Sequence, residues 1–253
     1  MMSLTDKVAL VTGGSRGIGR AIALRLAAAG ADVVVNFAHS RGPADEVAAE
    51  IAALGRQVAV VQADVSQPDD VQAMVQWIGE TFGRLNIVVS SAADHAPGPL
   101  LSATPDRFAS VMTTNAGALI HLVQSAMPWL TAGPDRGKVV AVSAWGADVA
   151  MVGRGLLGAS KAALEGTVRH LAFELGDRIN FNVVQGGWIG SDGAQTQPDF
   201  DRPATGRANR LPLPTYDVEP NDIANVALFL ASSLSDGVQG QTLVVDGGVT
   251  VRV

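Results

Sequence analysis

Short runs of β-branched and other apolar residues alternate with longer helix-forming segments along most of the chain. The runs predict strands at residues 8–12, 32–36, 58–62, 87–90, 139–143, 180–184 and 242–245. The intervening segments have apolar residues at helical spacing and include residues 17–29, 43–54, 69–82, 106–130 and 160–175. Each connection is long enough for a right-handed crossover between parallel strands. The alternation therefore predicts an α/β fold with one doubly wound parallel sheet of about seven strands and helices on both faces.

The length of 253 residues suits one α/β domain, and no repeat or low-complexity linker divides the chain. We therefore predict a single domain over residues 1–253. Residues 190–214 stand out because they are rich in Gly, Pro, Asp, Gln and Arg and poor in aliphatic side chains. A loop of that length in a compact domain is usually functional, so it is predicted to be lid-like and to cover a site. The alternative is a disordered surface insertion.

The net charge of −6 excludes a basic stripe that could neutralise phosphates, so neither a nucleic acid nor an anionic membrane is an expected partner. A small-molecule or carrier-bound substrate fits better. The absence of cysteine rules out disulfides and thiolate catalysis, and no cluster of Asp, Glu and His has the spacing of metal ligands. No signal peptide is visible and the apolar runs are too short to span a bilayer, so we expect a cytoplasmic protein.

A glycine-rich turn lies between the first predicted strand and the first predicted helix. Glycines there allow a tight turn and a close approach to a pyrophosphate, and the helix N-terminus supplies N–H groups. The residues of this candidate phosphate site are Gly13, Ser15, Arg16, Gly17, Ile18 and Gly19. A purely structural turn is the alternative.

The second predicted strand ends at Asn36, where a site that prefers NAD would normally carry an acidic residue for the ribose 2′-hydroxyl. Arg16 in the glycine-rich turn, with Ser40 and Arg41 beyond the strand, could contact a 2′-phosphate. The pattern therefore favours NADP(H) as the cofactor. The alternative is that both arginines are merely solvated.

These and further motifs together resemble the short-chain dehydrogenase/reductase family over essentially the whole chain. They are T-G-x-x-x-G-x-G at 12–19, Asp64-Val65 after the third strand, Asn115 in a long helix, S-K-A-A-L at 160–164 and V-V-D-G-G at 244–248. Within the family, the type III enoyl-acyl carrier protein reductases and the 3-oxoacyl reductases are most similar in pattern. The resemblance implies a Rossmann-type domain that transfers hydride to or from a nicotinamide, usually as a homodimer or homotetramer.

The resemblance also assigns cofactor contacts residue by residue. Asp64 and Val65 would contact the adenine, and Lys161 would hold the nicotinamide ribose. The loop under the cofactor, N-N-A-G in the family, here includes Ser91 and Ala92. The remaining expected contacts beside the nicotinamide are Gly186, Ile189 and Ser191.

The family's catalytic residues are only partly present. Lys161 and Asn115 match, but the tyrosine position holds Leu157, or Arg154 under the wider spacing of type III enoyl reductases. The only tyrosine in the chain is Tyr216, far downstream. The serine position holds Ala144, although the neighbouring residue Ser143 could serve after a small shift. The sequence thus predicts an active site without the usual Ser-Tyr pair.

Substitute acid–base groups are expected at the carboxyl ends of the predicted strands, where ligands bind in such sheets. His95 follows the fourth strand and can titrate near neutrality, and Asp148 lies in the turn after the fifth. Arg154 could instead bind a carboxylate, phosphate or enolate. For His95, a solvated loop position is the competing interpretation.

Three functions remain open from the sequence. The first is an atypical NADP(H)-dependent oxidoreductase that acts on an acyl, polyketide-like or aromatic substrate. The second is a non-redox cyclase, isomerase or dehydratase in which NADP(H) is structural or absent. The third is a catalytically inactive subunit that forms a hetero-oligomer with an active homologue.

Overall fold

The structure is a computed structural model that describes residues 2–187 and 218–251. All seven strands of its single sheet pair in parallel, in the order β3-β2-β1-β4-β5-β6-β7. The predicted fold class is therefore confirmed. The strands are β1 (Val8–Val11), β2 (Asp32–Phe37), β3 (Val58–Gln62), β4 (Ile87–Ser90), β5 (Gly137–Ala144), β6 (Ile179–Gly186) and β7 (Thr242–Val245).

Helices cover both faces of the sheet, and each face has its own apolar core. One core is formed with α1, α2 and α7, and the other with α3, α5 and α6. Because both faces are buried, the central strands are continuous apolar runs such as Val33–Val35 rather than alternating ones. The helices are α1 (Gly17–Ala28), α2 (Arg41–Ala53), α3 (Pro68–Phe82), α4 (Pro105–Met112), α5 (Ala118–Leu130), α6 (Gly155–Glu174) and α7 (Pro220–Ala231).

The predicted helix at 106–130 is interrupted. A π-helical turn, Thr113–Gly117, separates α4 from α5 and contains the buried Asn115. Such turns often occur at functional sites because they reposition a side chain within a helix. The amphipathic spacing continues on both sides, so periodicity alone did not reveal the interruption.

Two further differences concern helix bounds. Helix α6 begins at Gly155, before the predicted start at 160, and the close approach of Gly158 to Gly146 packs its first turn against the segment after β5. Helix α7 was not predicted. It begins with a capping box in which Glu219 and Asp222 exchange side-chain-to-backbone hydrogen bonds.

None of the helices in residues 2–187 and 218–251 is long and apolar enough to cross a membrane. The predicted lid-like loop at 190–214 lies outside the described residues, as do the predicted contacts Ile189 and Ser191.

Candidate active site

The candidate site is the crevice at the carboxyl ends of β1 and β4. The chain leaves β1 toward β2 on one side of the sheet and leaves β4 toward β5 on the other. Connections that diverge in this way open a crevice where ligands of doubly wound sheets bind. The glycine-rich turn follows β1, and the segment from Ser91 to Ala96 follows β4.

The glycine-rich turn is too tightly packed to accept side chains at two positions. Gly13 has φ +61°, and a Cβ there would lie 2.9 Å from the Cα of Ala92. A Cβ at Gly19 would lie 2.3 Å from the carbonyl oxygen of Gly13. The turn therefore brings the N-terminus of α1 close to the crevice, with Ser15, Arg16 and Ile18 beside it, as anion binding requires.

Thr12 joins the two loops of the crevice. Its Oγ1 accepts hydrogen bonds from the N–H groups of Ser91 at 3.0 Å and Ala92 at 3.2 Å. The predicted cofactor floor is therefore held against the glycine-rich turn. This role of Thr12 was not predicted from the sequence. The position of Thr12 as the first residue of the glycine-rich motif could have indicated it.

Asn36 has a different role from the expected one beside the ribose. Its side chain is buried, and its Nδ2 donates to the carbonyl oxygens of Val61 at 3.3 Å and Ala63 at 3.0 Å. Its Oδ1 accepts from the Gly13 N–H at 3.4 Å. Because backbone groups use both ends of the amide, Asn36 supports the glycine-rich turn from below.

The predicted contacts for a 2′-phosphate lie at the edge of the same crevice. Arg16 is exposed at the N-cap of α1, while Ser40 and Arg41 are exposed at the start of α2. Arg41 forms a weak i,i+4 pair with Asp45, at 3.2 Å. The cations therefore remain available to a ligand.

Three other predicted cofactor contacts, Asp64, Val65 and Gly186, are less accessible than the two arginines. Asp64 accepts from the Ser66 N–H at 2.9 Å, and Val65 is buried. Gly186 ends β6 opposite Val245 of β7, at the carboxyl edge of the sheet.

Asn115 fixes the segment that carries His95. Its Oδ1 accepts from the Asp94 N–H at 2.7 Å, and its Nδ2 donates to the Asp94 carbonyl at 2.9 Å. The same Nδ2 donates to Ser160 Oγ at 2.8 Å, in α6. The Asp94 carboxylate also pairs with Arg107, with one contact at 2.6 Å. The loop after β4 is thus attached to both α4 and α6.

Lys161 lies one turn into the buried face of α6. Its Nζ donates to the Val142 carbonyl at 2.7 Å, and the side chain is nearly inaccessible. Burial lowers the pKa of Lys161 to about 8, against a smaller opposing effect of Glu165. An ammonium group with that pKa is charged at neutral pH but can release its proton within the physiological range.

The His95 side chain is exposed in the loop after β4, although neighbouring atoms partly desolvate its imidazole. Burial, together with the positive charges of Lys161 and Arg154, lowers the pKa of His95. The imidazole is therefore neutral at neutral pH. Two other predicted site residues, Lys161 and Arg154, are thus near enough to His95 for their charges to act on its pKa.

Ser143 and Asp148 are already engaged by partners. The Ser143 hydroxyl donates to Glu165 Oε1 at 2.5 Å, beneath α6, and so does not offer a free hydroxyl in place of the missing serine. Asp148 is exposed, and its Oδ2 accepts from Gln185 Nε2 at 2.7 Å. Ala144 at the end of β5 and Leu157 in α6 are both half-buried.

Two buried polar residues near the site were not predicted. Glu165 follows Lys161 by four residues in α6, a spacing that places both on one helix face. Gln185 lies near the end of β6. A single polar residue in a strand forms no motif, so the sequence did not identify it as a site residue. No group of three potential metal ligands occurs in the part of the chain that the structure describes.

The parallel sheet, the glycine-rich turn and the crevice define an α/β protein of the dinucleotide-binding class. The family described as enoyl-(acyl carrier protein) reductase matches residues 13–250. The chain therefore belongs to this family, within the short-chain dehydrogenases/reductases, as its motifs predicted.

Relatives of known structure or activity cover nearly the whole chain. A short-chain dehydrogenase from Burkholderia cenocepacia, solved in complex with NADP, is 36% identical with a TM-score of 0.89, covering 98% of this chain and 99% of that one. The 3-oxoacyl-[acyl-carrier-protein] reductase FabG of Staphylococcus aureus is 35% identical, covering 96% and 98%. The 1-cyclohexenylcarbonyl-CoA reductase of Streptomyces collinus is also 35% identical, covering 97% and 87%.

Proposed function

We propose that this protein is an NADP(H)-dependent oxidoreductase that reduces the conjugated double bond of an acyl or aromatic substrate without a Ser-Tyr pair. The observation that carries the proposal is the buried Lys161, whose charge acts on His95 in the loop after β4, in a chain whose glycine-rich turn is too tight for side chains. The glycine-rich turn of the dinucleotide motif is present, whereas the usual proton donor is replaced by Leu157.

The residues present fit NADP(H). The pyrophosphate would lie at the turn around Gly13 and Gly19, and the 2′-phosphate would contact Arg16 and Arg41. A cofactor held there supplies hydride to an electrophilic carbon. The NADP complex of the Burkholderia relative supports this choice.

Reduction of the substrate also requires a proton donor, and this chain needs one in place of the missing tyrosine. Neutral His95 is a weak donor, and Asp148 is exposed and already accepts from Gln185. Lys161 is an ammonium ion below a pKa of about 8 and can transfer a proton to an enolate. Its Nζ would then accept a proton from solvent before the next turnover.

The substrate class follows from this chemistry and from the relatives. Reduction of a conjugated alkene produces an enolate, which needs less acid assistance than a simple ketone does. The names of the relatives, a 3-oxoacyl reductase and a 1-cyclohexenylcarbonyl-CoA reductase, both indicate acyl thioesters. We therefore favour a carrier-bound or coenzyme A-bound enoyl group.

Rapid mixing of the protein and NADPH with enoyl thioesters, enones, quinones and ketones tests the proposal. We expect NADPH oxidation to be fastest with an enoyl thioester or enone. Measured NADPH binding without oxidation by any of these compounds would rule out the reductase.

A neutral His95 in a cationic crevice also favours a second function, a non-redox isomerase or dehydratase, because neutral imidazole can act as a base. That function predicts conversion of substrate at the same rate after nicotinamide has been removed. Product analysis with and without NADPH distinguishes the two.

Restoring the missing pair should extend the activity to ketones. We expect Leu157→Tyr combined with Ala144→Ser to raise NADPH-dependent ketone reduction by roughly 10²-fold, because a positioned general acid contributes at least that much. Leu157→Phe with Ala144→Ser is the control, since it adds the ring without the hydroxyl. Steady-state kinetics with a simple ketone measures the effect, and equal rates for the two variants would contradict the expectation.

A further inference from the structure

Glu165 is a buried carboxylate for which the proposed reaction has no direct use. It lies on the inner face of α6, one turn after Lys161, and is 6% exposed. Burial of an isolated charge is costly, so such a group must be compensated by its surroundings.

Three neighbouring strands aim donors at this carboxylate. Ser143 Oγ of β5 donates to Oε1 at 2.5 Å, Gln185 Nε2 of β6 donates to Oε1 at 3.2 Å, and Thr242 Oγ1 of β7 approaches Oε2 at 3.5 Å. These three donors compensate the burial of the carboxylate.

The orientation of Gln185 supports this interpretation. Its Nε2 lies between two carboxylates, Glu165 and Asp148, so the nitrogen rather than the oxygen must face them. Among the residues that the structure describes, none forms a hydrogen bond with its buried Oε1. Leaving a buried acceptor unpaired is unfavourable, and the arrangement therefore favours donation to the carboxylates over full satisfaction of the amide.

We propose that Glu165 is a positioning residue whose buried charge keeps Lys161 an ammonium ion and so maintains the proton source of the crevice. Its role in turnover rests on the proposed function, whereas the coupling between the two side chains does not. Glu165 acts through Lys161, since its own carboxylate is enclosed by β5, β6 and β7 and does not reach the crevice.

The charged groups around Lys161 have opposing effects. Glu165 faces it from α6 and raises its pKa, while burial lowers it. His95 faces it from the loop after β4 and is neutral, and β5 contributes the uncharged Val142 carbonyl. Asp148, in the turn after β5, accepts a hydrogen bond from Gln185. Within the described residues, Glu165 is the carboxylate whose charge raises the pKa of Lys161 against the effect of burial.

The low number of lysines allows a direct test. The chain has three, Lys7, Lys138 and Lys161, so protein labelled with ¹³C at lysine Cε gives three signals, and Lys161→Met assigns the third. We expect the Lys161 signal to titrate with a midpoint of about 8 in the unaltered protein. In Glu165→Gln the midpoint should fall by about one pH unit or more, because the opposite charge is lost.

Glu174→Gln is the matched control. It removes the same charge from an exposed position of the same helix and should leave the Lys161 midpoint unchanged. An unchanged midpoint in folded Glu165→Gln would overturn the proposal. If that variant does not fold, Glu165→Asp replaces it, since the shorter carboxylate is withdrawn from Ser143 and should lower the midpoint by a smaller amount.

The pH dependence of NADPH oxidation separates the two proposals. If both hold, the loss of rate at high pH in Glu165→Gln moves to lower pH together with the Lys161 signal. A shifted signal without any turnover by the unaltered protein would reject the proposed function but retain the coupling. Turnover with the Lys161 signal unmoved would retain the function and reject the role of Glu165.

Discussion

Lys161→Met should lower the kcat for NADPH-dependent reduction by roughly 10²- to 10⁴-fold, the usual contribution of a positioned general acid. The methionine preserves the length and burial of the side chain but removes its proton. NADPH binding should weaken less than kcat falls, because the pyrophosphate and 2′-phosphate contacts are made elsewhere. Stopped-flow rates together with a fluorescence titration of NADPH separate these effects.

Lys161→Arg distinguishes a proton source from a fixed cation. Arginine keeps the charge but does not release its proton in proteins, so this variant should bind NADPH yet remain as slow as Lys161→Met. A rate near that of the unaltered protein in Lys161→Arg would contradict the assignment and leave Lys161 as a ribose ligand only.

The pH dependence follows from the same pKa. Below about 8 Lys161 is charged and can donate, and above that value the donor is lost, so kcat should decline as the pH rises through this range. A rate that rises there would instead indicate that a base limits the reaction, as the non-redox function requires.

Gly19→Ala is the second change with a large expected effect. The added Cβ would lie 2.3 Å from the Gly13 carbonyl oxygen, so the glycine-rich turn must move away from α1. Overpacking of this kind costs about 1–3 kcal/mol, which corresponds to roughly 10- to 100-fold weaker NADPH binding if the cost falls on the bound state. Titration of NADPH fluorescence measures the change.

Gly42→Ala in α2 provides the control, since a Cβ there meets nothing within 4 Å. It should bind NADPH normally and unfold at the same or a higher urea concentration, because alanine favours a helix. Normal NADPH affinity in folded Gly19→Ala would show that the turn does not hold the pyrophosphate.

Most of the fold was predictable because local patterns and long-range packing agree in this chain. The strands at 58–62 and 87–90 were predicted to the residue, since each is a short, mostly apolar run bounded by turn-forming or polar residues. Helix α7 was missed although Pro220 and its capping box are standard signals of a helix start.

The site was less predictable because its electrostatics depend on neighbours that are distant in sequence. The glycine-rich turn and Lys161 lie in local motifs that are visible in the sequence. The engagement of Ser143 by Glu165 depends instead on the packing of α6 against β5, and Gln185 joins them because it pairs with Ser143 across the sheet. The spacing of residues along the chain does not show which residue of β6 pairs with Ser143 of β5.

The hydrogen bonds of Asn115 have a consequence for ligand binding. Its amide bonds two backbone atoms of Asp94 and the hydroxyl of Ser160, so the loop with His95 is joined to the helix with Lys161. We expect a loop joined in this way to be largely preformed when a ligand arrives, which leaves little side-chain entropy to be lost on that side. Discrimination among substrates on that side should therefore be of the lock-and-key kind.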